Sequence, residues 1–200
     1  MILKIRQVGE QVLRQKARPV SKDEILDRFT QELIESMRET MHDAPGVGLA
    51  APQVGHPLQI VVIEDQLEMI QKLPPEQVAE RERRPVTFHV LVNPKLTQLG
   101  SNVAEFFEGC LSLAGFMAVV PRAKKVRVEG LNERAEPVII DASGWYARIL
   151  QHEIDHLHGA LYIDRMNSRS FCTQENYARY WKDRSVAEVV SLGSSADYRR

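Results

Sequence analysis

Gln151-His152-Glu153-Ile154-Asp155-His156-Leu157-His158-Gly159 carries the pattern His-Glu-x-x-His, with His152 and His156 four residues apart. On an α-helix that spacing puts both imidazoles on one face, a turn apart, where one divalent metal ion can take both. Glu153 then stands beside the place of a water at the metal, where a carboxylate can take a proton and return it to a leaving group. Residues 145–150 (WYARIL) are largely apolar. The pattern therefore predicts a buried helix over 144–158, capped by Asp141 or Ser143 and ended at Gly159. The competing reading is a surface helix with two incidental histidines, but a buried helix rarely carries such charge without a use.

A catalytic centre needs a third ligand. The extended pattern His-Glu-x-x-His-x-x-Gly-x-x-His is followed as far as Gly159, but Tyr162 stands where the third histidine belongs. Asp164, Glu175, Asp183 and Glu188 offer carboxylates downstream, none in a distinctive setting. Of the two cysteines, Cys172 lies in a polar segment. Cys110 lies in Glu108-Gly109-Cys110-Leu111-Ser112-Leu113, a glycine-containing apolar stretch, and is the better candidate. Two imidazoles and one thiolate leave a fourth position open for water.

Three segments, residues 46–55 (GVGLAAPQVG), 108–112 (EGCLS) and 151–156 (QHEIDH), resemble in order and spacing the three motifs of peptide deformylases. The resemblance runs from Ile2 to about Asp164 and is to the branch that includes mitochondrial and some bacterial members. Ala114 departs from it, because many members have proline or an acidic residue there; the change bears on loop stiffness and touches no expected ligand.

The resemblance implies a metal-dependent hydrolase that removes the N-formyl group from the initiator methionine of nascent polypeptides and releases formate. Its metal ligands would be Cys110, His152 and His156, with Glu153 as acid and base. Gln53, through its side-chain amide, and Leu111, through its backbone N–H, would steady the oxyanion. Substrate would lie extended along Gly46, Val47, Gly48 and Gly109 as an added strand. Ile149, three residues before His152 and seven before His156, shares their helix face and would wall the methionine side chain opposite Val47, with core packing as its competing role. Glu108 and Arg122 would pair to hold the cysteine loop. One divalent ion is implied, Fe²⁺ in the cell, replaceable by Zn²⁺ or Ni²⁺; thiolate with imidazole suits several of these. N-formyl-Met peptides and nascent chains at the ribosome are the expected partners, and the chain is a monomer or a homodimer. A zinc endopeptidase and a non-catalytic metal module compete with this reading. The first lacks a third ligand at Tyr162; the second lacks a fourth, because His158, about 200° round the helix from His156, faces away.

The 200-residue length suits one domain over 1–200 with a tail from about 166. A hydrophobic share of 44% and a charged share of 26% are ordinary for a soluble protein. A net charge of −1 argues for no specific nucleic acid and no membrane partner. Two dissimilar cysteines suggest a reducing compartment. The start of the sequence lacks a signal-peptide core, and family-like sequence begins at Ile2. A cytoplasmic protein is expected, with a processed organellar form as the alternative.

Residues 1–20 read as an extended arm. Ser21 with Glu24 is a capping-box signature, opening one amphipathic helix that runs to Pro45. Leu26 and Phe29 would share its buried face, and His42 would be an ordinary terminal residue. Residues 46–55 lack the Gly-Lys-Ser/Thr ending of a phosphate loop. Strands are predicted over 59–64, 86–92, 103–107, 117–120, 125–131 and 137–140, with Asn93-Pro94 as a turn and 131–134 as a hairpin. His89 fits a strand and a structural role. Residues 65–85 read as a solvated, charged insertion without function. Tyr177, Tyr180 and Trp181 mark the tail as a docking helix or an oligomer contact. The fold class is α+β: mixed or antiparallel sheets packed around one central metal-binding helix.

Overall fold

The computed structural model describes residues 1–194. Its elements in order are α1 (Lys22–Leu26), α2 (Arg28–Asp43), β1 (Gly48–Ala50), β2 (Ile60–Asp65), α3 (Leu67–Ile70), α4 (Pro75–Glu80), β3 (Val86–Gln98), β4 (Val103–Cys110), β5 (Leu113–Ala123), β6 (Lys125–Leu131), β7 (Pro137–Ser143), α5 (Gly144–Leu157), β8 (Cys172–Thr173), α6 (Gln174–Asn176) and α7 (Val186–Ser194), with short 3₁₀ and π turns between. One sheet runs β1-β2-β3-β6-β7 and another β4-β5-β8, with every strand pair antiparallel. The α+β class expected from the sequence is the one found.

The apolar run of β2 shows how the layers form. Alternate residues of a strand face opposite sides. Ile60 and Val62 face α2, in a core with Met37, Met41, Leu33 and Ile34. Val61 and Ile63 face α5, with Ala147, Ile149, Leu150, Ile154 and Leu157. Both faces of the strand are covered, so its sequence does not alternate. The central helix α5 touches β1, β2, β3, β5, β6 and β7, and so lies between the two sheets.

Several local expectations are corrected. The first helix is two: Asp27, with φ −72° and ψ 157°, ends α1 and caps α2 by accepting from the Thr30 N–H at 2.7 Å. The break resets the helical phase, so Leu26 and Phe29 are exposed rather than buried. His42 bonds Glu64. Asn93-Pro94 lies inside β3 as a bulge between Val92 and Lys95. There Asn93 adopts φ +52° and its side chain bonds both backbone groups of Val20, pinning the arm.

Neither proposed residue caps α5 through its side chain. Asp141 is held by Arg127 with two bonds of 2.7 Å, and Ser143 makes no side-chain cap bond. The insertion instead covers that end. A β-carbon on Gly144 (φ +59°) would meet the Arg81 carbonyl oxygen at 2.9 Å. Nor is the insertion merely solvated: Arg83 forms two 2.8 Å bonds with buried Asp65, and the Arg81 guanidinium lies 4.9 Å from the Trp145 ring centroid. The tail docks on its own chain. Cys172 and Thr173 pair with Met117 and Phe116 of β5, and Tyr177, Trp181 and Val189 pack around Phe107 and Val119. Among the described residues no helix is long and apolar enough to cross a membrane.

Candidate metal centre

Helical spacing places His152 and His156 one turn apart on α5, with ring centroids 5.1 Å apart. The β4–β5 hairpin brings Cys110 to them: a register shift after Glu108 turns the end of β4 toward the helix, and Cys110 Sγ lies 3.4 Å from His156 Nε2. Among the described residues, Cys110, His152 and His156 form the cluster whose ligand atoms all lie within 4.8 Å of one another. The alternative donors do not join it. Asp164 is paired with Arg14, Glu175 with Arg179, and His158 is exposed at the end of the helix. Tyr162 is buried and its ring stacks on His152 at 6.3 Å.

The cluster rests on a buried ionic frame. Glu108 accepts from Arg122 Nε at 3.0 Å and Nη2 at 2.9 Å, from Arg148 Nη1 at 2.6 Å, and from His152 Nδ1 at 2.9 Å. Arg122 also donates to Asp155 at 2.5 Å, and Asp155 accepts twice from Arg165. As a metal ligand the His152 ring must be neutral, and with Nδ1 donating to Glu108 its lone pair then lies on Nε2.

This donor set fits a divalent cation. Burial depresses the His152 imidazole, but neighbouring Cys110 and Glu108 outweigh it and hold the ring well above its ordinary pKa. Negative charge therefore concentrates where a cation would sit. His156 is pushed well below its ordinary value by burial and by His152 beside it, which suits a neutral ligand. Burial raises Glu153 to about 7, against the opposing pull of His152; a cation nearby would draw it down again. Its Oε2 has no hydrogen-bond partner among the described residues.

A cleft of about 500 Å³ opens on the cluster. Gly46, Val47, Gly48, Gln53, Gly109, Cys110, Leu111, Ile149, His152 and Glu153, all singled out in the sequence, line it; His156 lies behind them, 1% exposed. Gln53 is fixed at both ends. Its Oε1 accepts from the Ala50 N–H at 2.8 Å, and its Nε2 donates to Ser112 Oγ at 3.2 Å and Cys110 Sγ at 3.5 Å. The N-terminal arm braces this side, with Arg6 N–H bonding the Gln53 carbonyl and Gln7 Nε2 the Leu111 carbonyl.

Sequence reasoning missed Arg148, Asp155 and Arg165 in the frame, and Arg81, Trp145, Gln174 and Tyr177 in the cleft wall. An arginine inside the apolar run WYARIL was the one visible signal for Arg148.

The family model for polypeptide deformylase matches residues 2–171. A chloroplastic peptide deformylase 1A of Solanum lycopersicum is 49% identical over 168 residues, covering 84% of this chain and 61% of the relative. The chain thus spans about three fifths of that relative's length. A mitochondrial peptide deformylase of Homo sapiens is 46% identical over 169 residues, covering 82% and 68%. Among solved structures, a peptide deformylase of Synechococcus elongatus in complex with actinonin superposes with a TM-score of 0.70 at 36% identity, covering 84% of this chain and 80% of that one. A Met-Ala-Ser-bound class I type b peptide deformylase from Acinetobacter baumannii gives 0.73 at 32% identity, covering 83% and 99%. With residues 2–171 matched by the family model and relatives 46–49% identical over more than four fifths of the chain, the chain belongs to the polypeptide deformylase family.

Proposed function

We propose that this protein hydrolyses the N-formyl group of peptides that begin with formylmethionine. The observation that carries the reading is the convergence of Cys110 and His152 in the cleft with His156 just behind them, beside Glu153, whose Oε2 has no hydrogen-bond partner among the described residues. A divalent ion held by those three residues, Fe²⁺ in the cell and exchangeable for Zn²⁺ or Ni²⁺, supplies Lewis acidity toward water and the formyl carbonyl.

The chain's own residues do the rest. The formylated end lies against Gly46, Val47, Gly48 and Gly109, pairing backbone to backbone. Glu153 takes the proton of the attacking water as the new C–O bond forms. The Gln53 amide and the Leu111 backbone N–H donate to the oxyanion. Glu153 then passes the proton to the amine nitrogen as the C–N bond breaks, leaving formate and a free N-terminal methionine. Val47 and Ile149 flank the methionine side chain, and an unbranched thioether suits such an apolar slot. The tail adds Gln174 and Tyr177 to the cleft, so the described part of the tail works as one domain with the rest, while the last residues of the expected 1–200 domain lie outside the described residues. Nascent chains at the ribosome, in the cytoplasm or an organelle, are the natural source of such substrates.

The test is incubation of the metal-loaded protein with formyl-Met-Ala-Ser and with Met-Ala-Ser. Stoichiometric formate from the first without internal cleavage of either supports the reading. Internal cleavage would favour an endopeptidase, and no turnover would overturn catalysis.

A further inference from the structure

Arg148 stands one helical turn before His152 on α5, and the two grip the same carboxylate. Arg148 Nη1 holds Glu108 Oε1 at 2.6 Å while His152 Nδ1 holds Oε2 at 2.9 Å. Glu108 is two residues before Cys110, on the hairpin rather than the helix. Arg148 also bonds the carbonyls of Val120 at 2.9 Å and Ala104 at 2.6 Å, one on each strand of that hairpin. It is 4% exposed, although it reaches the cleft wall. A second arginine serves the next turn in the same way: Arg122 links Glu108 to Asp155, the residue before His156.

We infer that Arg148 is a positioning residue that locks the hairpin bearing Cys110 to the helix bearing the histidines and so fixes the separation of thiolate and imidazoles. The physical reason lies in the frame. Arg122 ties Glu108 to the helix only through Asp155, at the far turn. Without Arg148, the one direct bond from the helix to Glu108 would be that from His152, and a single hydrogen bond leaves the ring free to tilt about it. A planar guanidinium satisfies the carboxylate and two carbonyls together, which an ammonium with one nitrogen does poorly. The inference deepens the reading of this cluster as a metal site and does not depend on which peptide is cleaved.

The test compares the full-length wild type with Arg148→Met and Arg148→Lys. Zn²⁺ affinity is read by competition with a chromogenic chelator, and ligand geometry by the visible absorption of the Co²⁺-substituted protein. Met37→Ala, a core change in α2 away from the cluster, serves as the control for lost stability. Arg148→Met should lower Zn²⁺ affinity about 10–100-fold and alter the Co²⁺ bands. Arg148→Lys should recover part of both, and Met37→Ala should change neither. Wild-type affinity and an unchanged Co²⁺ spectrum in Arg148→Met would overturn the inference. If Arg148→Met does not fold, Arg148→Lys decides by the same readings. If neither folds, Arg148 is structural and the inference fails. Lost Zn²⁺ affinity in Arg148→Met beside a wild type that releases no formate would overturn the proposed activity and leave this inference standing.

Discussion

Gly48 lies so close to Glu153 that a β-carbon on it would sit 2.5 Å from the Glu153 Oε1 oxygen. Gly48, the first residue of β1, pairs with Ile63 of β2, and that register holds its backbone in place. The carboxylate would have to move instead. Gly48→Ala should fold and bind metal, yet lose at least about tenfold in kcat, toward the ~10²-fold that a 1 Å misplacement costs. Steady-state kinetics on metal-replete protein measures this. Unchanged kcat would show that Glu153 is not fixed by this contact.

Cys110→Ala should abolish stable metal retention, and Cys172→Ala should preserve it. Cys110 Sγ faces His156 Nε2, whereas Cys172 lies among Met117, Tyr177 and Trp181. Metal analysis after gel filtration separates the two. Exchanged outcomes would reassign the third ligand.

Ile149 belongs both to the core around α5 and to the cleft wall. Burying a methionine side chain contributes about 1.5–3 kcal/mol. Narrowing the slot with Ile149→Phe should therefore raise KM for formyl-Met peptides about tenfold or more, and far less for formyl-Ala peptides. An equal loss on both, tracking a lower Tm, would make Ile149 a core residue only.

His89 gives the fold a pH dependence outside the metal centre. Its Nδ1 donates to the Thr87 carbonyl and its Nε2 accepts from Tyr146, each at 2.9 Å, and burial lowers its pKa below the ordinary 6.5. The unfolded chain thus binds the proton more readily. Stability present above pH 6.5 is lost as pH falls through 6.5 toward the folded value, at no more than about 1.4 kcal/mol per pH unit. His89→Gln should flatten the slope of unfolding free energy between pH 7 and 5. An identical slope would remove His89 as its source.

Much of the layout was legible because it depends on local pattern. The apolar run of β2, the helical periodicity of α5 and the capping box at Ser21 each express a short-range rule. Misplaced features depend on contacts distant in sequence. Asp27 could extend a helix or cap a new one, and only the packing of α2 decides. Asn93-Pro94 looks like a turn until its side chain is seen clamping Val20. Arg81 and Arg83 looked solvated because their partners, Trp145 and Asp65, do not follow from charge pattern. The three donors of the cluster were marked by motif, and the structure brings them together. The frame beneath them was half visible. Glu108 with Arg122 was expected from the resemblance, whereas Arg148 was hidden as a charge inside an apolar helix.

Glu153→Gln bears most directly on the central claim, that this cluster hydrolyses formyl peptides through one carboxylate. The substitution keeps shape and nearly all hydrogen bonding while removing the proton acceptor. Formate release from formyl-Met-Ala-Ser should be followed for wild type and Glu153→Gln at equal metal content per chain. A loss of about 10²–10⁴-fold with full metal retention is the predicted result. Turnover near the wild-type rate in the metal-replete variant would contradict it.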